Sequence, residues 1–104
     1  MIELATYENF DSLIAEGFTL VDFYSVTCGP CKILSKILEE VACELPFVNI
    51  AKVNLTYYPD FGTKYEIDAV PTVLFVKDGE ILERVVGLVD REEITEKIGE
   101  HYYG

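Results

Sequence analysis

Two cysteines stand three residues apart in the run Thr27-Cys28-Gly29-Pro30-Cys31-Lys32. Pro30 fits only the first turn of a helix, where its missing N–H costs nothing, so Cys28 falls at or just before a helix start. The free backbone N–H groups and the positive end of the helix dipole there stabilise a thiolate. A three-residue offset in a helical turn brings the two Cβ atoms within about 5–6 Å, close enough for a disulfide to form and open with little backbone movement. Counting about 100° per residue from an apolar stripe centred near Leu34, Cys31 lies about 60° away and Cys28 about 120° away. Cys28 is therefore expected to be the exposed sulfur and Cys31 the shielded one. On that asymmetry Cys28 attacks a disulfide, and Cys31 resolves the mixed disulfide that results.

A metal clasp and a static staple compete with that reading. A zinc site needs four ligands, and besides the pair the chain offers Cys43, His101 and carboxylates, with no second ligand pair at knuckle spacing. A purely structural disulfide would close a very small loop and stabilise little, and a reducing compartment would open it. Cys43 lies about 180° from the stripe centre, which places it toward solvent with no catalytic role expected; the competing reading is a small buried hydrophobe.

Chemistry at Cys28 depends on what holds it. The 104 residues suffice for one domain, 1–104, and 50% of them are hydrophobic, a globular composition. Eight basic residues against nineteen acidic ones leave a formal charge of −11, which repels phosphate backbones and anionic lipid alike. Neither nucleic acid nor a membrane is expected as a partner. The opening run MIELATYENF has no basic region followed by an apolar stretch, and three cysteines are too few for a secreted disulfide framework, so a soluble cytoplasmic protein is expected.

The positioning elements follow from periodicity. IEL reads as a short strand and TYENFDSLIAEG as a helix capped by Thr6 and closed by Gly17. TLVDFYSV is almost continuously apolar, the pattern of a strand covered on both faces. A helix runs from Cys31 to about Glu44 with Leu34, Ile37, Leu38, Val41 and Leu45 on one stripe. FVNIAKVNL is the next strand, and YPDFGTKYEI a short irregular helix begun by Pro59. TVLFV and EILERVVG flank Asp78-Gly79, a strong hairpin signal, and Asp90 with Glu93 starts a last helix through Ile94 and Ile98. His101 is expected to be solvated in its last turn, favoured there by the dipole. Strands alternating with helices imply parallel pairs joined by crossovers, so helices cover both faces of one mixed sheet. A reactive group then belongs where a strand's carboxyl end meets the next helix, which is where Cys28 lies.

The runs VDFYSVTCGPCK, AKVNL, KYEIDAVPT, VKDGE and VVG, in this order and spacing, resemble the thioredoxin family from about Ile2 to the last helix. The resemblance implies a thioredoxin fold, a central five-stranded mixed β-sheet with four helices on both faces. It implies reduction of protein disulfides, with electrons supplied by a thioredoxin reductase. Because the cysteines carry the electrons, no organic cofactor or metal is expected, and a monomer is expected. By the same resemblance Asp22 is buried behind Cys31 and relays the proton that Cys31 loses, with Lys52 nearby. From sequence alone the competing reading of Asp22 is a rim acid accepting a hydrogen bond, and that of Lys52 a solvated strand lysine. The resemblance makes Pro71 a cis proline beside the cysteines and Val70 the residue whose backbone pairs with substrate. Gly29 and Pro30 contribute to the docking surface, and Gly87 keeps it flat. Without it, Pro71 is an ordinary trans proline at a strand start.

Departures from the family are specific. Thr27 stands where a tryptophan is usual, with a hydroxyl expected to cap the adjacent helix. Tyr24 replaces a second common tryptophan. Lys36 replaces a helix proline, which predicts a straighter helix. These changes leave the pair intact and bear on recognition. A rival of another class is a redox-responsive binding module whose pair switches state without turnover.

Overall fold

The computed structural model describes residues 2–104. The chain runs β1 (Ile2–Leu4), α1 (Phe10–Ala15), β2 (Phe18–Tyr24), α2 (Gly29–Glu44), β3 (Val48–Asn54), α3 (Asp60–Lys64), β4 (Thr72–Lys77), β5 (Glu80–Val86) and α4 (Arg91–Tyr103). The five strands form one sheet in the order β1-β3-β2-β4-β5. Strands β1 and β2 both run parallel to β3, whereas β4 is antiparallel to β2 and to β5. The expected mixed sheet with four helices is thus present.

Alternation along the central strands sorts the core into two layers. Phe18 and Leu20 of β2, Val48 and Ile50 of β3, and Val73 and Phe75 of β4 pack with Leu34, Leu38 and Val41 of α2 and Ile94 and Ile98 of α4. Val21 and Phe23, Ala51 and Val53, and Leu74 and Val76 face the other way, onto Phe10 of α1 and Phe61 of α3. Each such Leu or Phe, fully removed from water, contributes about 1.5–3 kcal/mol of transfer free energy. Strand β2 is therefore buried on both faces, as its continuous apolar run requires.

Three boundaries differ from expectation. Helix α1 begins at Phe10 rather than after Thr6, because Thr6 and Asn9 cap each other first: Asn9 Oδ1 accepts the Thr6 N–H at 2.7 Å and Thr6 Oγ1 accepts the Asn9 N–H at 3.2 Å. Helix α2 begins at Gly29, two residues before Cys31, and continues unbroken through Lys36. Helix α3 is only five residues long and follows Pro59 as its cap. The hairpin and last helix form as read. Asp78 and Gly79 both take positive φ, 49° and 86°, at the two-residue turn, and Asp90 Oδ1 accepts the Glu93 N–H at 2.8 Å. In β5 the register shifts so that Phe75 faces Glu83 and Val76 faces Ile81, leaving Leu82 as a bulge.

Candidate functional site

The carboxyl end of β2 delivers the chain through Ser25–Thr27 to the start of α2, and Cys28 is that helix's N-cap, with extended backbone at φ −92° and ψ 112°. Its Sγ accepts the Cys31 N–H at 3.1 Å. Thus the cap is the Cys28 sulfur and not Thr27, whose side chain is exposed. The hydrogen bond and the end of the 16-residue helix both stabilise negative charge on Sγ, the charge that an attacking thiolate carries. Cys28 and Cys31 are joined as a disulfide with Cα atoms 5.3 Å apart. Cys28 is half-buried while Cys31 is 3% exposed on the buried face of α2. The stripe geometry read from sequence placed the two sulfurs in this order.

A second backbone segment comes up beside them. The Val70-Pro71 bond is cis, Pro71 is buried, and the Val70 carbonyl oxygen lies 3.9 Å from Cys28 Sγ. Thr72 anchors this turn by donating its hydroxyl to the Ala69 carbonyl at 2.7 Å. Gly87, at φ +96°, donates its N–H to the Pro71 carbonyl at 2.8 Å. A Cβ there would meet no atom within 4 Å, so glycine is needed for the backbone angle rather than to avoid a clash. Exposed apolar side chains flank these segments: Val26 precedes the pair in the loop and is 45% exposed, and Val86, opposite Thr72 in the sheet, and Leu88, after Gly87, are exposed by 58% and 45%. This composition suits an extended peptide more than a small polar ligand.

The strand that leads to the pair carries a buried acid. Asp22 follows Phe18 and Leu20 on the β2 face covered by α2, is 0% exposed, and neither carboxylate oxygen has a hydrogen-bond partner among the described residues. The rim reading is therefore wrong. Burial raises its pKa from 3.8 to about 6, a net rise that already includes the opposing pull of the Lys52 charge. Lys52 stands directly opposite Asp22 across the parallel β2–β3 pair, yet its ammonium is held elsewhere. Nζ donates to Ser35 Oγ of α2 at 2.6 Å and sits 4.9 Å from the centre of the Tyr24 ring. Nor is Lys52 simply solvated; it is half-buried in this network. Tyr24, Cys31, Lys32, Ser35 and Lys52 line a cleft of about 230 Å³, which joins the second sulfur to the lysine of this network.

Ser35 and Thr72 were not singled out from sequence. Ser35 is four residues after Cys31, hence on the same helical face, a signal that was present in the spacing. Thr72 carried no signal beyond its place after Pro71. His101 departs from its expected solvation: its Nε2 is 2.6 Å from Glu83 Oε1, and Lys97 Nζ donates to the other oxygen at 2.5 Å. These hydrogen bonds, Lys97's foremost, hold the Glu83 carboxyl below its usual range. The trio clamps α4 onto β5, away from the cysteines in the chain's topology. Cys43 is exposed on α2, as expected, with neighbouring Glu40 and Glu44 both engaged by Arg91. The oxidised native protein is expected to take up one equivalent of maleimide, read by intact mass; no uptake without denaturant would show that Cys43 is inaccessible.

Comparison with known proteins agrees with this geometry. The thioredoxin family model matches residues 1–100. A thioredoxin from Chlamydia pneumoniae is 46% identical over 101 residues, covering 97% of this chain and 99% of that protein. One from Staphylococcus saprophyticus is 39% identical over 97 residues, covering 92% and 93%. Among solved structures, a single-residue mutant of a thioredoxin from Halobacterium salinarum superposes with a TM-score of 0.88 at 29% identity, over 95% of this chain and 88% of that one. With a CGPC pair capping α2 beside a cis proline, and relatives matched over nearly the whole length, the chain belongs to the thioredoxin family of thiol-disulfide oxidoreductases, which reduce protein disulfides.

Proposed function

We propose that the protein reduces the disulfides of other proteins in the cytoplasm as a monomer, and that a thioredoxin reductase returns it to the dithiol. The observation that carries the assignment of roles is the unequal burial of two sulfurs on one helix start, with the Cys31 N–H directed at Cys28 Sγ. The Cys28 thiolate attacks one sulfur of the substrate disulfide. A Cys28–substrate disulfide forms, the substrate S–S bond breaks, and the first substrate thiolate departs and takes a proton from water. The Asp22 carboxylate then accepts the proton of the Cys31 thiol, and the Cys31 thiolate attacks Cys28 Sγ. The second substrate thiolate leaves, and the pair has given up two electrons to the substrate. Lys52 faces Asp22 and tempers the rise in its pKa. During docking the Val70 backbone pairs with the extended substrate, while Thr27, Gly29, Pro30, Pro71 and Gly87 frame the approach to Cys28. The sulfurs themselves carry the electrons, so this route uses no cofactor or metal.

Catalysed reduction of insulin by dithiothreitol tests the reading. Many turnovers per molecule are expected, whereas a redox-responsive binding module would show none. Thr27 gives a sharper expectation about recognition. A tryptophan there would offer a broad apolar plate at low entropy cost, whereas Thr27 offers a methyl and a hydroxyl. Thr27→Trp is expected to change the Michaelis constant for protein disulfides several-fold, about 1 kcal/mol, with much less effect on a small disulfide. Equal changes for both substrates would place Thr27 in the chemistry.

A further inference from the structure

Six of the chain's eight cations are engaged within the fold. Lys52 donates to Ser35, Lys64 lies over the Tyr65 ring, and Lys77 donates to the Tyr102 carbonyl. Arg84 donates to the carbonyls of Tyr65 and Glu66, Arg91 pairs with Glu40 and Glu44, and Lys97 pairs with Glu83. Lys32 and Lys36 remain. Among the described residues, neither has an ion pair, hydrogen bond or ring contact, and both are exposed.

These two lysines stand together beside the redox pair. Lys32 follows Cys31 directly and Lys36 lies one turn further along α2. With Ile33, 54% exposed, and half-buried Ile37 they line a shallow groove of about 290 Å³. The spacing i, i+1, i+4, i+5 makes a stripe with an aliphatic floor and two ammonium groups along one side. Helix stability does not account for the lysines. Like charges four residues apart repel each other, cations near a helix N-terminus oppose its dipole, and no acidic residue in the first turn of α2 offsets them. Glu39 and Glu40, three and four residues after Lys36, form no ion pair with it.

A formal charge of −11 disfavours acidic partners at long range. Exposed charges more than about 8 Å away are largely screened at physiological ionic strength, however, so a docked segment feels the local surface. The lining of the groove itself is cationic and aliphatic, with exposed Glu39 and Glu40 about one turn beyond Lys36. We infer that the Lys32/Lys36 groove binds the chain flanking the target disulfide and selects protein substrates whose flanking segment is acidic and aliphatic. The inference rests on the reductase reading and adds a substrate class to it. The two lysines supply attraction, and Ile33 and Ile37 supply the contact area for an aliphatic side chain between the acidic ones.

Two peptides with the same disulfide test it, one flanked by Asp-Leu-Glu and the other by Asn-Leu-Gln, each mixed with the reduced protein in a stopped-flow single turnover. At low salt the acidic peptide is expected to react about three- to tenfold faster, with the difference collapsing near about 0.5 M salt. Lys36→Gln is expected to shrink the ratio and Lys36→Glu to bring it to unity or below. Rates with the neutral peptide and with an uncharged small disulfide are expected to hold in both. An acidic-to-neutral ratio of one in the unmodified protein, or a ratio untouched by Lys36→Glu, overturns the proposal. The salt series on the unmodified protein decides the matter even if a variant folds poorly. Failure of the reductase reading looks different, because the unmodified protein would then reduce none of the three disulfides.

Discussion

Replacing Cys31 by serine is expected to stop the protein after one encounter, leaving the substrate bound through a disulfide to Cys28. Multiple turnover of insulin reduction is expected to fall by about a thousandfold or more, as when a reacting group is removed outright. Intact-mass analysis should show the Cys28 adduct accumulating at one per molecule. Cys28→Ser should be equally inactive but form no adduct, because the sulfur that remains, Cys31, is 3% exposed and out of a substrate's reach. The difference between these two inactive variants is the diagnostic. Full turnover by Cys31→Ser, or an adduct on Cys31 in the absence of Cys28, would contradict the assigned order of attack.

Asp22→Asn is expected to separate catalysis from stability. Asparagine approximates the protonated acid in size and polarity but cannot take a proton from Cys31. The resolving step near neutral pH should slow, by about 10²-fold if the carboxylate acts as a general base. Stability should move the other way. The folded pKa is raised from 3.8 to about 6, so the folded state binds more protons than the unfolded state between these values. Stability of the unmodified protein therefore falls as pH rises through that window, and above about 6 the buried charge costs about 3 kcal/mol. The variant escapes this cost: its advantage in denaturant unfolding should be near zero at about pH 4 and reach its full size by about pH 7. A pH-independent difference would show that Asp22 does not titrate in this window, and an unchanged single-turnover rate from about pH 6 to 8 would remove it from the proton path.

How much could be read in advance follows from the range of each interaction. The order of the sulfurs was legible because Pro30 fixes where α2 starts and the stripe through Leu34 fixes its rotation, both local facts. The Asp78-Gly79 turn and the Asp90 cap were legible for the same reason. Strand direction was not: periodicity reveals faces, and nothing in TVLFV distinguishes a β4 antiparallel to β2 from a parallel one. Thr6 and Asn9 are both competent caps, and only their mutual bonding starts α1 at Phe10. The Lys52–Ser35 bond needs the β2–β3 register and the docking of α2, separated by 17 residues in sequence. His101 pairs with Glu83 from a strand 18 residues earlier, which an isolated helix turn does not show. The cis state of Val70-Pro71 came from family resemblance alone, since the local sequence is that of any proline opening a strand.

The bulge at Leu82 bears on how open the edges of this sheet are to a further strand. A five-stranded open sheet has two borders whose unpaired amides and carbonyls invite a further strand. Here one border is β1, three residues long, too short to template much pairing. The other is β5, bent out of register by its extra residue and carrying Glu80, Glu83 and Arg84. Both borders are thus blunted by geometry, independently of the net negative charge that keeps molecules apart at neutral pH. That repulsion vanishes at the isoelectric point near 4.3, while the short and the bent borders persist. Near that pH the borders are guarded against a further strand by the shape of the sheet rather than by net charge.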